Sequence, residues 1–190
     1  MAREHLDGVP FRDWSRKAQL RALRAAARIA LVDFGHQGAQ LDLVEFEFNA
    51  TFRVTTERGE RFAMRLNINS TSDADQVEAE TAWVAALAEE TDVMLPLPQP
   101  TASGDRMALV WFDPLRRDVP IVLYSWLGGR HLNDGSSDDR VAAVGEVMAA
   151  FHNQAERWVV PRTLQFRRVD TLIMDMEDNL RDLDRPWYDK

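Results

Sequence analysis

The sequence predicts an α+β fold: a five-stranded antiparallel sheet with one long helix inserted after its third strand, then a segment of helices. Three observations predict it. Apolar and polar residues alternate, as in half-buried strands, through consecutive stretches between Leu41 and Asn67, with a glycine-containing turn at Glu57–Glu60. A helical spacing of apolar residues follows from Ala74 to about Glu90. Two more apolar runs then end at Leu127-Gly128-Gly129-Arg130, where paired glycines and a polar stretch mark a boundary.

The elements are justified in chain order. A first helix is expected from Asp13 or Ser15 to Asp33, with Gly35 placed to end it. Its cations, Arg16, Lys17, Arg21, Arg24 and Arg28, interleave with the apolar stripe of Leu20, Leu23, Ala27 and Leu31. They therefore read as a solvated face rather than a binding patch. Leu41 to Phe48 alternates apolar and acidic residues as a first strand. Thr51 to Thr56 forms the second, and Arg61 to about Asn67 the third, making a meander. Polar, helix-capping residues from Ser70 to Asp75 precede the helix whose apolar positions are Val77, Ala82, Trp83, Ala86 and Leu87. Pro96, Pro98 and Pro100 force an extended segment. Met107 to Phe112 and Ile121 to Ser125 are the last two strands, separated by an Asp113-Pro114 loop. Past the boundary, a helix from Ser137 to His152 presents Val141, Val144, Val147, Met148 and Phe151, with His152 ending it in a structural role. A further helix is expected near Thr171 to Leu183. The chain divides accordingly into residues 1–126 and 127–190.

Composition excludes several function classes. There is no cysteine, hence no disulfide framework, thiolate zinc site or cysteine nucleophile. A formal net charge of −8 gives no general affinity for nucleic acid. No run of roughly 18 apolar residues exists to cross a membrane, and Met1 to Asp7 lacks the apolar core of a secretory signal; a cytoplasmic protein is expected. The phosphate-binding, dinucleotide-binding, zinc-protease and serine-hydrolase signatures are absent. His5, His36, His131 and His152 are scattered, so no metal site is expected.

What remains is an order of elements carrying particular residues. Phe48-Asn49-Ala50-Thr51-Phe52-Arg53-Val54 resembles the first turn and second strand of the aminoglycoside phosphotransferase and choline kinase superfamily, which writes a similar Asn-x-x-[Tyr/Phe]-x-Val there. Arg61-Phe62-Ala63-Met64-Arg65-Leu66 is similar to its third strand, and Glu78 to Leu87 to the helix that follows. Pro96 to Pro100 resembles the proline-rich lead-in to its fourth strand. Val122 to Arg130 resembles its hinge, and Val144 to His152 the first long helix of its second lobe. The resemblance runs from about Glu45 to His152. It implies a protein-kinase-like N-lobe, a hinge and the first helices of an α-helical C-lobe.

The resemblance also implies roles. A nucleoside triphosphate needs a fixed cation on its phosphates, oriented by a helix carboxylate. Arg65 is that cation here and Glu80 the carboxylate; the family usually has lysine at the Arg65 position. Arginine keeps the charge and pairs bidentately, with a bulk that shifts the geometry. Glu78 is the poorer candidate, two positions around the helix. Asn49 lies at the turn over the phosphates, where only Gly38 stands upstream in place of a glycine-rich loop. Ser125, Trp126 and Leu127 form the hinge whose backbone would hydrogen-bond an adenine. ATP with Mg²⁺ is the implied cofactor pair, and a small-molecule hydroxyl compound the implied acceptor.

The family's catalytic loop, His-Gly-Asp-x-x-x-x-Asn, and its following metal aspartate do not occur after His152. The cluster of Asp170, Asp175, Glu177 and Asp178 has the wrong spacing and reads as a charged helix face. A truncated or naturally shortened chain that does not itself transfer phosphate is therefore expected. Its exposed C-lobe helix face would favour self-association. Two rival readings stand beside this one: a non-catalytic nucleotide-binding or interaction module, and an unrelated acidic α+β interaction domain. The last predicts no kinase-like strand order.

Overall fold

The computed structural model describes residues 8–68, 73–129, 132–133 and 135–166. The expected helix at Thr171 to Leu183 and the acidic cluster from Asp170 to Asp178 lie outside the described residues.

Helix α1 (Arg16–Asp33) begins at Ser15, whose side chain caps the Ala18 N–H at 3.3 Å, and ends at Gly35. Gly35 has φ +71°, and the turn lets the His36 N–H reach the Leu31 carbonyl at 2.8 Å. A short 3₁₀ turn at Phe11–Asp13 precedes the helix. It carries none of the periodicity by which longer elements are read. It is held because Gln19, buried, donates from Nε2 to the Phe11 carbonyl at 2.9 Å.

Strands β1 (Gln40–Phe46), β2 (Ala50–Thr55) and β3 (Arg61–Leu66) form the meander. Helix α2 (Ala74–Glu90) follows, capped by Asp73 Oδ1 on the Gln76 N–H at 3.0 Å; then come β4 (Ala108–Phe112) and β5 (Arg117–Ser125). The sheet order is β1-β2-β3-β5-β4, with every neighbouring pair antiparallel. The last helix, α3, spans Asp138–Arg157.

Three boundaries differ from expectation by more than one residue, each for a physical reason. The first strand stops at Phe46 rather than Phe48, and its register shifts between Leu43 and Glu45. Two successive apolar residues, Leu43-Val44, break the alternation there, and the bulge leaves Val44 exposed. The fifth strand begins at Arg117, not Ile121. Pro120 cannot donate to a ladder, yet its carbonyl receives both the Asn67 N–H (3.1 Å) and Asn67 Nδ2 (3.0 Å), which extends the pairing. The helix expected to stop at His152 continues five residues to Arg157, because Gln154 packs against α2 and gives the extra turn a tertiary anchor. His152 is exposed inside it.

The two faces of the sheet are covered differently. On one face, Phe52, Val54, Met64, Leu66, Ile121 and Leu123 pack with Leu23, Ala27, Ala30 and Leu31 of α1 into the main apolar core. On the other, Val77 of α2 meets Val122, Tyr124 and partly buried Ala63 in a much smaller cluster. The Pro96–Pro100 segment runs extended beside the end of β5, with Gln99 N–H on the Leu123 carbonyl (2.7 Å) and Ser125 N–H on that of Leu97 (2.8 Å). On α3, Val141, Val144 and Met148 are exposed. No helix among the described residues is long and apolar enough to cross a membrane.

Candidate functional site

The strand register assembles the polar face. Directly opposed residues share a face, so Asp42, Arg53, Ala63 and Tyr124 form one row across β1, β2, β3 and β5. Thr51, Arg65 and Val122 form the next row. Arg65 thus points to the side on which α2 packs. Its Nη2 donates to Glu80 Oε1 at 2.7 Å, a charge-assisted bond joining strand to helix. The pair is part-exposed, so it contributes little to stability; its effect is to fix where the guanidinium sits. Glu78, two residues away, faces elsewhere and accepts from Arg106 Nη1 at 2.8 Å. The preference for Glu80 over Glu78 follows the helix turn.

A guanidinium carries five N–H donors. Glu80 takes one nitrogen, while Arg65 Nε is buried with no hydrogen-bond partner. The Tyr124 hydroxyl is likewise buried and unpartnered, and the Arg65 guanidinium carbon lies 5.5 Å from the centre of its ring. Burial pushes the Tyr124 phenol up from its ordinary value of 10.0 to about 12; Arg65 opposes the shift and Glu80 adds to it. Beside this pair, Arg53 Nη2 holds Asp42 Oδ2 at 2.9 Å, which lowers the Asp42 carboxyl below its usual value.

Asn49 lies in the turn between β1 and β2, two residues before Thr51, the residue opposite Arg65. Its Oδ1 is buried with no partner, and Phe48 at the turn tip is 80% exposed. Ser125 lies opposite Phe62 at the end of β5, and its Oγ accepts from the Leu97 N–H at 2.9 Å. About 10 Å of strand separates it from Val122, the residue opposite Arg65. The Ser125 N–H is engaged by the Leu97 carbonyl at 2.8 Å, whereas Trp126 and Leu127 make no backbone hydrogen bond among the described residues. Arg61 approaches the Trp126 ring at 5.8 Å. The register thus puts Arg65, held by Glu80, near the Asn49 end of the strands and Ser125 further along β5, with Trp126 and Leu127 following the strand.

Sequence reasoning missed Arg53, Asp42, Tyr124 and Gln154. For the first three the sequence offered no specific signal; it is the strand register that sets Asp42, Arg53 and Tyr124 in one row with Ala63. Gln154 carried none either. No group of three or more His, Asp or Glu side chains among the described residues is placed to hold a metal ion. The polar hollow lined by His36, Glu57, Arg58 and Glu60 lies at the β2–β3 turn, the opposite end of the strands from Asn49.

A five-stranded antiparallel sheet with a helix packed on its β3–β5 face, tied to β3 by a cation–carboxylate pair, is the layout of a kinase N-lobe. Residues 44–187 match the model of the phosphotransferase enzyme family, and the chain belongs to that family. Among solved structures, that of a microcompartment-associated aminopropanol kinase is similar at TM-score 0.66 and 26% identity, over 77% of this chain and 45% of its own. Amicoumacin kinase hAmiN, in complex with AMP-PNP, Ca²⁺ and Ami, is similar at TM-score 0.67 over 82% of this chain and 47% of its own. At 14% identity that likeness is one of fold. The chain spans less than half the length of either kinase. No curated protein matches it.

Proposed function

We propose that this chain carries the nucleotide-binding half of an ATP-dependent phosphotransferase acting on a hydroxyl group of a small molecule. The observation that carries this reading is the Arg65–Glu80 pair at 2.7 Å, in a fold shared with kinases. On this reading residues 1–126 would make up the lobe with its N-terminal helix, and residues 127–190 would begin a second, helical one. Arg65, with a donor to spare, would bind phosphate oxygens, and Glu80 would hold it in place. Asn49 would present the β1–β2 turn to the same phosphates. Trp126 and Leu127, whose backbone groups are unspent, would meet the adenine edge, with Ser125 as the fixed end of that segment.

ATP brings the transferable phosphate, and Mg²⁺ would accompany it. The described residues offer no metal-ligand group, so no step is assigned to the ion here. The 190 residues contain no His-Gly-Asp-x-x-x-x-Asn segment, so no residue of this chain is given the role of accepting the hydroxyl proton. An amino alcohol is the first acceptor class to try, because the more identical of the two kinases is named for one. Self-association through the exposed α3 face belongs to the same reading, and a monodisperse monomer by light scattering would remove it.

Calorimetric titration of Mg·ATP into the chain, with Arg65→Ala alongside, tests the proposal. Binding that weakens about tenfold or more in the variant supports it, the scale of losing a charged hydrogen-bond donor. Absence of binding to the unsubstituted chain overturns it. A second reading, a non-catalytic nucleotide-binding or interaction module, is favoured by arginine standing where the family usually has lysine. It predicts that Mg·ATP is either not bound, as for an interaction module, or bound and left intact when small hydroxyl acceptors are supplied to any form of the protein.

A further inference from the structure

Gln154 is the one polar residue of α3 with no exposure at all. It lies sixteen residues past the first residue of that helix, far from the strands, and the proposed nucleotide site gives it no role. Burying an amide is costly unless both of its ends are paired. Here both are, and both partners are on α2. Gln154 Oε1 accepts from Trp83 Nε1 at 2.9 Å, and Gln154 Nε2 donates to Glu90 Oε2 at 3.1 Å. The Trp83 ring also meets Phe151, one turn earlier on α3, edge-on at 6.5 Å.

Trp83 and Glu90 are seven residues apart on α2, so they lie on one stripe of that helix, two turns from each other. Glu80 is three residues before Trp83, a helical neighbour one turn away. A grip on Trp83 and Glu90 therefore fixes both the rotation and the axial position of the helix that delivers Glu80 to Arg65. The apolar attachment of α2 to the sheet is slight by comparison, with Val77 packing on Val122 and Tyr124.

We infer that Gln154 is a positioning residue: through Trp83 and Glu90 it is the means by which α3 sets the Arg65–Glu80 pair. The inference rests on the nucleotide reading for its consequence, since the pair is the proposed phosphate cation and its orienting carboxylate. The second helical segment thereby governs phosphate binding without touching the nucleotide.

The experiment uses Gln154→Glu, which keeps the shape and the Trp83 bond but sets a carboxylate against Glu90. Glu90→Gln added to it supplies an amide donor and restores the pairing. Two readouts are taken on the 190-residue chain. Hindered rotation of the Arg65 guanidinium, followed by nitrogen-15 NMR, reports the pair directly, and calorimetry reports Mg·ATP affinity. The expected result is faster guanidinium rotation and roughly five- to tenfold weaker Mg·ATP binding in Gln154→Glu, the scale of one unsatisfied buried polar group. Both effects should revert in the double variant. A folded Gln154→Glu with unchanged guanidinium rotation overturns the inference, as does a loss that Glu90→Gln does not rescue. If Gln154→Glu does not fold, Trp83→Phe, which removes only one of the two bonds, is judged by the same two readouts. Failure of the unsubstituted chain to bind Mg·ATP would instead overturn the nucleotide reading. The guanidinium signal would then still decide whether Gln154 sets the pair.

Discussion

The two faces of the sheet follow opposite rules. The face toward α1 is apolar and closed: Phe52, Val54, Met64, Leu66, Ile121 and Leu123 are all without exposure, and α1 fits a row of alanines and leucines onto them. The face toward α2 carries two arginines, an aspartate and a tyrosine, and leaves two polar atoms, Arg65 Nε and the Tyr124 hydroxyl, buried without partners, with Asn49 Oδ1 a third in the β1–β2 turn. Buried polar atoms without partners are destabilising, and a sheet that can bury Phe52 beneath a helix had an apolar alternative. The difference teaches that one face holds the fold, while the other carries the polar groups that the proposed nucleotide site draws on.

Substitutions can break that division. The largest effect is expected from Phe52→Ala on the closed face, a loss of about 3–5 kcal/mol in denaturant unfolding, as for large core aromatics. If the division is right, the Mg·ATP affinity of whatever remains folded is unchanged. Arg65→Ala should do the reverse, lowering affinity about tenfold while costing under about 1 kcal/mol of stability, because its ion pair is part-exposed. A stability loss as large as that of Phe52→Ala would make Arg65 a core-support residue and erase the contrast.

Tyr124 sharpens the comparison through pH. Its phenol is raised in the folded chain, so the stability it lends is fully present below the unfolded value of 10.0 and is lost as pH rises toward about 12. Thermal melts across that window should show an alkaline fall that Tyr124→Phe reduces. At neutral pH the same variant should be neutral or slightly stabilising, since the hydroxyl has no partner to lose. The smallest effect belongs to Asp42. Its lowered carboxyl contributes above the usual carboxylate value and stops contributing as pH falls below it, so Asp42→Asn should flatten only the acid end of the stability profile.

Legibility in the sequence followed the same division. The closed face was readable because burial imposes period: the alternation placed β2 and β3, the stripe of α1 named Leu23, Ala27 and Leu31 of the core, and α2 was placed from Ala74 to Glu90. Arg65 and Glu80 were readable as a strand cation and a helix carboxylate, though not as a 2.7 Å contact, which depends on how α2 crosses the sheet. Arg53 and Asp42 were hidden because a half-exposed charged residue in a strand is common in any sheet. Gln154 was hidden more deeply. Nothing local distinguishes it from the exposed His152 and Asn153 beside it; only the packing of α3 on α2 does. Where Pro120 and Leu43-Val44 departed from strand chemistry, the boundary expectations departed with them.

Helix α1 has a practical consequence for anyone dividing this chain. The family match begins at residue 44, inside β1, whereas the apolar core begins at Phe11 and draws on α1 from Leu20 to Leu31. A protein cut to the matched residues would keep every proposed nucleotide contact and lose the roof over its sheet. Phe52, Met64 and Leu123 would then face water, and aggregation of such a piece would say nothing about its affinity for ATP. The recognisable unit and the unit that folds have different first residues, and expression boundaries belong to the second.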